Sequence, residues 1–245
     1  MLTPTAADVI LESALTPRIS SAGFAFVGKR TWVRSTKPHT RELVRFFHTK
    51  GAGITVIWGV ALDFVPQVSG RRLKWKRLPQ DLYFDLEWLP VDYDEQLRAQ
   101  SEEAHKRFRQ MVDNGITIMR AFPRSSRVYD WSVNLLDPLD VFRARSDQLA
   151  TITAAQAIPF LDRIANLTDV ANLLAFQRTY PYLGLGFFNH VQPPLAYSFL
   201  LAKLGRVEDA RQAYAEYCER IPRMAEVQPK LDRAFSEAMA CPIVD

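Results

Sequence analysis

Apolar and polar residues alternate along most of the first ninety positions of the chain, after a short opening of helical character. Thr3 followed by Pro4 is typical of a helix start, because the hydroxyl caps free N–H groups and proline suits the first turn. The pattern predicts a helix from about Pro4 to Ser20 that is interrupted or ends near Pro17. The next segment, GFAFVGKRTWVR at residues 23–34, predicts a β-hairpin that turns at residues 28–30.

Three further segments continue the strand pattern: RELVRFFHTK at 41–50, GITVIWGVALDFV at 53–65 and QDLYFDLEWL at 80–89. Five successive strands with short turns predict an antiparallel meander with the first helix on one face and an open, polar second face. Gly59 and Ala61 fall on that second face, where their small size would admit a ligand or partner. The apolar face of the longest strand would carry Ile54, Val56, Trp58, Val60, Leu62 and Phe64.

Beyond the strands the hydrophobic period becomes helical. Residues 92–115 predict one helix, residues 116–150 a connector with short helical pieces, and residues 151–245 a helical domain. We therefore predict an α+β protein with a sheet domain at 1–115, a connector, and a C-terminal helical bundle with repeat-like hairpins. Predicted helices at Pro194–Leu204 and Val207–Arg220, separated by Gly205, form the most regular hairpin. A degenerate copy falls at 157–178, and a closing helix is predicted near Pro229–Ala240.

The hairpin after residue 194 resembles a tetratricopeptide repeat over about 26 residues. The resemblance implies a pair of helices packed through small side chains. It rests on Ala196, Leu200, Gly205, Ala210 and Tyr214.

Composition restricts the classes of function. The chain has 245 residues and a net charge of +4, an excess too small to require a nucleic-acid partner. Cys218 and Cys241 fit free thiols in a reducing cytoplasm. The most apolar run, at 54–65, contains Asp63 and is too short to span a membrane. We expect a soluble, cytoplasmic protein without a cofactor.

One stretch favours contact with an anionic group. Residues 69–77, SGRRLKWKR, hold five basic side chains, one tryptophan and no acid. Cations interleaved with an aromatic ring can bind phosphates and stack on a base, although such a loop also serves solubility. His190 lies in a loop beside other aromatic residues and is the histidine most worth inspection. The predicted binding residues are Arg71, Arg72, Lys74, Trp75, Lys76, Arg77 and His190.

Three carboxylates supply an alternative. Asp85 and Glu87 share a predicted strand face, and Asp63 ends the preceding strand. Carboxylates on neighbouring strands can hold a divalent cation, as in nucleases. The lysine expected two residues after Glu87 is absent, because position 89 is leucine. A polar strand face is also what a solvated antiparallel sheet shows.

The segment LTPRISSAGFAFVGKRTWVR at 15–34 resembles the opening of an uncharacterised bacterial family, the 4304-type domain of unknown function, and AIPFLDRIAN resembles its closing helix. The matching positions in the first segment are Gly23, Phe24, Gly28, Trp32 and Arg34. The resemblance covers about residues 8–65 and 155–166 and implies no known catalytic residues. Some relatives are suspected to be immunity or accessory proteins, which implies binding.

These observations favour a non-catalytic protein-binding, adaptor or immunity-like module over an enzyme. We expect a protein partner and no membrane contact. Trp58, Trp75 and Trp88 are candidate anchors. Two alternatives stay open: a metal-dependent hydrolase or nuclease that uses Asp63, Asp85 and Glu87, and a weak nucleic-acid binder that uses the basic segment at 69–77.

Overall fold

The first helix begins as the sequence predicts. The computed structural model describes residues 2–48, 52–69, 72–75, 83–88, 132–178, 192–220 and 226–243. Helix α1 spans Pro4–Ile19, and the Thr3 hydroxyl accepts a hydrogen bond from the Ala6 N–H at 3.2 Å. Its buried stripe repeats every four residues, as expected for a helix that packs one face on a core: Ala7, Leu11, Leu15 and Ile19.

A six-stranded antiparallel sheet follows. Its strands are β1 (Ala25–Gly28), β2 (Thr31–Lys37), β3 (Thr40–His48), β4 (Gly53–Leu62), β7 (Leu86–Trp88) and β8 (Val133–Asn134), and β5 (Gln67–Ser69) and β6 (Arg72–Lys74) form a separate hairpin. The order β1-β2-β3-β4-β7 confirms the predicted meander, and β8 pairs with the start of β4. The segment after Val65 is therefore a second small sheet inserted between β4 and β7, where the sequence predicts a loop.

The sheet packs one face against helices. Register places Val44 and Trp88 on either side of Trp58, and all three belong to the main hydrophobic core or pack against it. The predicted apolar face of β4 is thus confirmed from Ile54 to Leu62.

The expectation of an open, polar second face is wrong for β4. The strand is buried along its whole length, and Ile57 and Ala61 on its second face are 7% and 1% exposed. Leu43, beside Gly59 on β3, is also fully buried. This sheet is therefore buried on both faces at its centre, unlike an antiparallel sheet with one solvated face.

Five helices complete the described fold: α2 (Leu139–Asp162), α3 (Leu167–Arg178), α4 (Gln192–Lys203), α5 (Val207–Arg220) and α6 (Gln228–Ala240). Both predicted helical hairpins and the closing helix are present, and Gly205, with φ of +71°, ends the turn between α4 and α5. The predicted helix at 92–115 lies outside the described residues.

The predicted boundary at residues 150/151 falls inside α2, so the helical part begins earlier than expected. A single cluster of buried side chains extends from α1 through the sheet to α6. None of the helices in the described ranges is long and apolar enough to cross a membrane.

Candidate functional site

The hairpin formed by β5 and β6 holds the described part of the predicted basic segment. Val68 pairs with Leu73, and both side chains pack against the main core. Because side chains alternate along a strand, the neighbours Arg72 and Lys74 lie on the opposite face, and both are exposed. Trp75 follows directly and is 40% exposed. We call residues 67–69 and 72–75 the basic hairpin.

The two cations of the basic hairpin, Arg72 and Lys74, have no partner among the described residues. In the part of the chain that the structure describes, Arg72 and Lys74 form no ion pair and no side-chain hydrogen bond. Many other described arginines face a carboxylate instead, for example Arg18 with Asp147 at 2.6 Å. Of the predicted binding residues, Arg71, Lys76, Arg77 and His190 lie outside the described residues.

The three candidate metal ligands do not converge. The exposed Asp63 faces the His39 ring at 3.3 Å. Asp85 is fully buried, and its two carboxylate oxygens accept hydrogen bonds from the Leu62 N–H at 2.6 Å and the Gln192 amide at 2.7 Å. Among the described residues, no three His, Cys, Asp or Glu side chains group as a metal site. The geometry of the described residues therefore gives no support to the alternative in which Asp63, Asp85 and Glu87 share a metal ion, because each serves a different local contact.

Glu87 is the most perturbed carboxyl of the three. It is partly buried on the second face of β7. Burial raises its pKa from the ordinary 4.5 to about 7, although the positive charge of Arg45 opposes the shift and Asp85 adds to it. Burial also lowers the pKa of Arg45, an effect that Glu87 opposes. The Glu87 carboxyl can therefore take up or release a proton near neutral pH, whereas the Arg45 guanidinium stays protonated there.

The space beside Gly59 is filled by the backbone of β7, so it is not open to a partner. A Cβ atom at this position would lie 1.8 Å from the Leu86 carbonyl oxygen of β7. The small residue thus allows β7 to pack closely on β4, and the predicted groove beside Gly59 and Ala61 is absent here.

Two of the three predicted tryptophan anchors are internal. Trp58 is 1% exposed. Trp88 stacks on Phe160 of α2 and Phe176 of α3, with ring centroids 4.9 and 6.2 Å apart. Of the three, only Trp75 is exposed enough to contact a partner.

The segment at 84–88 also joins the sheet to the helices. Besides the Trp88 stack, Gln192 at the start of α4 bonds Asp85, and Gln177 of α3 donates to the Glu87 carbonyl oxygen. The sequence pattern does not indicate this role, because the partners lie 72 to 107 positions away along the chain.

A second group missed from the sequence surrounds Arg34 on β2. Its guanidinium donates to Glu42, to Asp162 of α2 at 2.7 Å and to the Ala22 carbonyl at 3.1 Å. Lys37 donates to the second oxygen of Glu42 at 2.7 Å. Burial lowers the pKa of Arg34, but the hydrogen bonds to Glu42 and Asp162 and the negative charges of these two residues raise it overall. Glu42 shares a strand face with Val44, and an acid at such a position indicates a buried cationic partner.

Two further residues behind the family resemblance, Gly23 and Phe24, contact Arg34. Arg34 lies over the Phe24 ring at 4.7 Å, and a Cβ on Gly23 would contact its side chain at 3.5 Å. Trp32 donates from its indole N–H to the Thr16 hydroxyl of α1 at 3.0 Å. These residues therefore hold the first hairpin, α1 and α2 together. We call Arg34, Lys37, Glu42 and Asp162, with residues 84–88, the sheet–helix junction.

The sheet–helix junction thus contains the buried pair of Arg34 and Glu42, whereas Arg72 and Lys74 on the basic hairpin are exposed and have no carboxylate partner among the described residues. Comparison of the chain with protein-family models, curated protein sequences and solved structures found no match.

Proposed function

We propose that the chain is a non-catalytic protein-binding module of the adaptor or immunity type that acts in the cytoplasm and contacts its partner through the basic hairpin. The observation that supports this proposal is the exposed Trp75 beside Arg72 and Lys74, two exposed cations with no carboxylate partner among the described residues. Tryptophan and arginine are the side chains most enriched at the energetic centres of protein interfaces.

The hairpin suits binding because it is held in place before any contact forms. Val68 and Leu73 pack on the core, so the outward side chains rise from a fixed backbone. A preformed surface loses less conformational entropy on association than a flexible one.

The resemblance to the 4304-type family is a second, weaker support. Its suspected immunity and accessory roles imply binding, and the matching residues Gly23, Phe24 and Arg34 serve packing in this chain. The candidate carboxylates also favour binding over metal-dependent hydrolysis, because Asp85 is occupied by internal hydrogen bonds and Asp63 faces the His39 ring.

The test is quantitative affinity capture from a lysate of the chain's own host cells, followed by mass spectrometry. Immobilised wild-type chain is compared with the Arg72→Glu, Lys74→Glu, Trp75→Ala triple variant. A matched control reverses two exposed cations on α6, Lys230 and Arg233, as Lys230→Glu with Arg233→Glu. We expect a protein that the wild type and the α6 control retain and the triple variant loses.

Nuclease treatment before capture separates the second alternative. A captured species that disappears with nuclease would replace the proposal with nucleic-acid binding through the same hairpin. Equal capture by all three forms, or no specific protein with any of them, would contradict the proposal.

A further inference from the structure

The spacing of the free cations restricts what the basic hairpin can bind. Arg72 and Lys74 are two residues apart on one strand face, which places their Cα atoms about 7 Å apart. An extended peptide presents its own alternate side chains at the same spacing. Two carboxylates separated by one residue therefore match the two cations in register.

The charge around the basic hairpin favours a short acidic segment over a nucleic acid. Phosphate backbones need an extended positive groove, with several cations in succession. Elsewhere in the described ranges, arginines are engaged in ion pairs, as Arg30 is with Asp8 at 2.7 Å and Arg178 with Glu216. The net charge of the whole chain is only +4.

Trp75 supplies an exposed apolar side chain directly after the strand that carries Arg72 and Lys74. It follows Lys74 in the chain and exposes 40% of its surface. A partner that neutralised both cations along the strand would reach the indole with its next side chains. Its burial would contribute hydrophobic free energy and exclude water from the ion pairs.

We infer that the basic hairpin binds an extended acidic segment of a partner protein, in which Asp or Glu residues alternate with neutral residues and contact Arg72 and Lys74 while an apolar residue covers Trp75. This inference rests on the proposed function and specifies the partner's chemistry.

The experiment is fluorescence anisotropy with the full chain and a labelled peptide of six Glu-Thr repeats with a leucine at each end. A peptide of the same composition, with its glutamates in one block, tests the spacing. A labelled twelve-nucleotide oligothymidylate tests nucleic acid. The variants are Arg72→Glu with Lys74→Glu, Trp75→Ala, and the α6 control Lys230→Glu with Arg233→Glu.

We expect the alternating peptide to bind more tightly than the blocked peptide and the oligonucleotide. The hairpin charge reversal should weaken binding by about tenfold or more, Trp75→Ala by about threefold or more, and the α6 control by less than twofold. Binding should weaken when salt rises from about 50 to 500 mM, because the charges are exposed.

Tighter binding of the oligonucleotide, or equal losses in the hairpin and α6 variants, would overturn the inference. No binding of either peptide would also overturn it. If host-cell capture still depends on the hairpin in that case, the proposed function stands and only the partner's chemistry is wrong.

Discussion

The sheet–helix junction and the basic hairpin use the same kinds of cation in opposite ways. Arg34 in the junction is 8% exposed and donates to two carboxylates and a carbonyl oxygen. Arg72 and Lys74 in the hairpin are exposed and have no carboxylate partner in the described residues. Burial and pairing, and not residue type, therefore distinguish charges that hold the fold together from charges that are available to a partner.

Buried and exposed charges differ in what their removal costs the folded state. A buried ion pair is costly to break, because removal of one partner leaves an uncompensated charge in a medium of low polarity. An exposed cation is already solvated, so its removal changes folding little. Substitutions in the junction should therefore affect stability, and those in the hairpin should affect binding.

The largest effect is expected for Arg34→Met. The change leaves Glu42, at 2% exposure, with Lys37 as its remaining cation, and removes the link to Asp162 on α2. We expect the free energy of unfolding to fall by about 3–5 kcal/mol. Urea unfolding followed by circular dichroism measures it. The matched variant Arg72→Met should change stability by about 0.5 kcal/mol or less, and comparable losses in both variants would break the comparison.

Gly59→Ala tests the other half of the junction. The new methyl group would lie 1.8 Å from the Leu86 carbonyl oxygen, so β7 must move away from β4. Overpacking in a core costs about 1–3 kcal/mol, and a backbone clash places this change at the upper end. Urea unfolding measures the loss.

Gly205→Ala provides the control. That position has open space and a φ of +71°, so the added methyl meets conformational strain without a clash. Its loss should be about 1 kcal/mol. A Gly59→Ala variant no less stable than Gly205→Ala would contradict the close packing of β7.

A smaller effect comes from the titration of Glu87. Its pKa is about 7 in the folded chain against an ordinary 4.5, so the folded state binds the proton more tightly than the unfolded state. The stabilisation from the bound proton is complete below about pH 4.5 and is lost as pH rises through 7. Since the side chain is only partly buried, we expect a loss of about 1–2 kcal/mol.

Unfolding free energies measured between pH 5 and 8 test this prediction. Glu87→Gln should flatten the decline, because the amide does not ionise. Glu237→Gln, on the exposed surface of α6, should leave the decline unchanged. An equal slope in Glu87→Gln and the wild type would exclude Glu87 as its source.

The local elements were predictable because their signals lie close together in the sequence. Thr3 with Pro4 predicted the start of α1, and Gly205 predicted the turn between α4 and α5. The alternation from Ile54 to Leu62 predicted the core face of β4. Each of these features depends on a few neighbouring residues.

The contacts that join the elements were not predictable in the same way. Arg34 meets Asp162 across 128 positions, and Asp85 meets Gln192 across 107. The sequence places the carboxylates at 63, 85 and 87 on neighbouring strands, as a shared metal site would require. In the structure, however, Asp85 is fully buried and Asp63 is exposed. Only the tertiary structure shows that the backbone at Leu86 packs against Gly59. It alone also shows that Trp75 is exposed whereas Trp58 is buried.

Photocrosslinking at the basic hairpin tests whether Arg72, Lys74 and Trp75 contact a partner protein. A benzoylphenylalanine residue is introduced in place of Trp75 in one variant and in place of Lys230, exposed on α6, in another. After irradiation in the host cells, we expect one discrete protein adduct at position 75 and none at position 230. The adduct at position 75 should be lost when Arg72 and Lys74 are also reversed in charge. An adduct at position 230 alone, or one at position 75 that survives the charge reversal, would contradict the assignment of the free cations to binding.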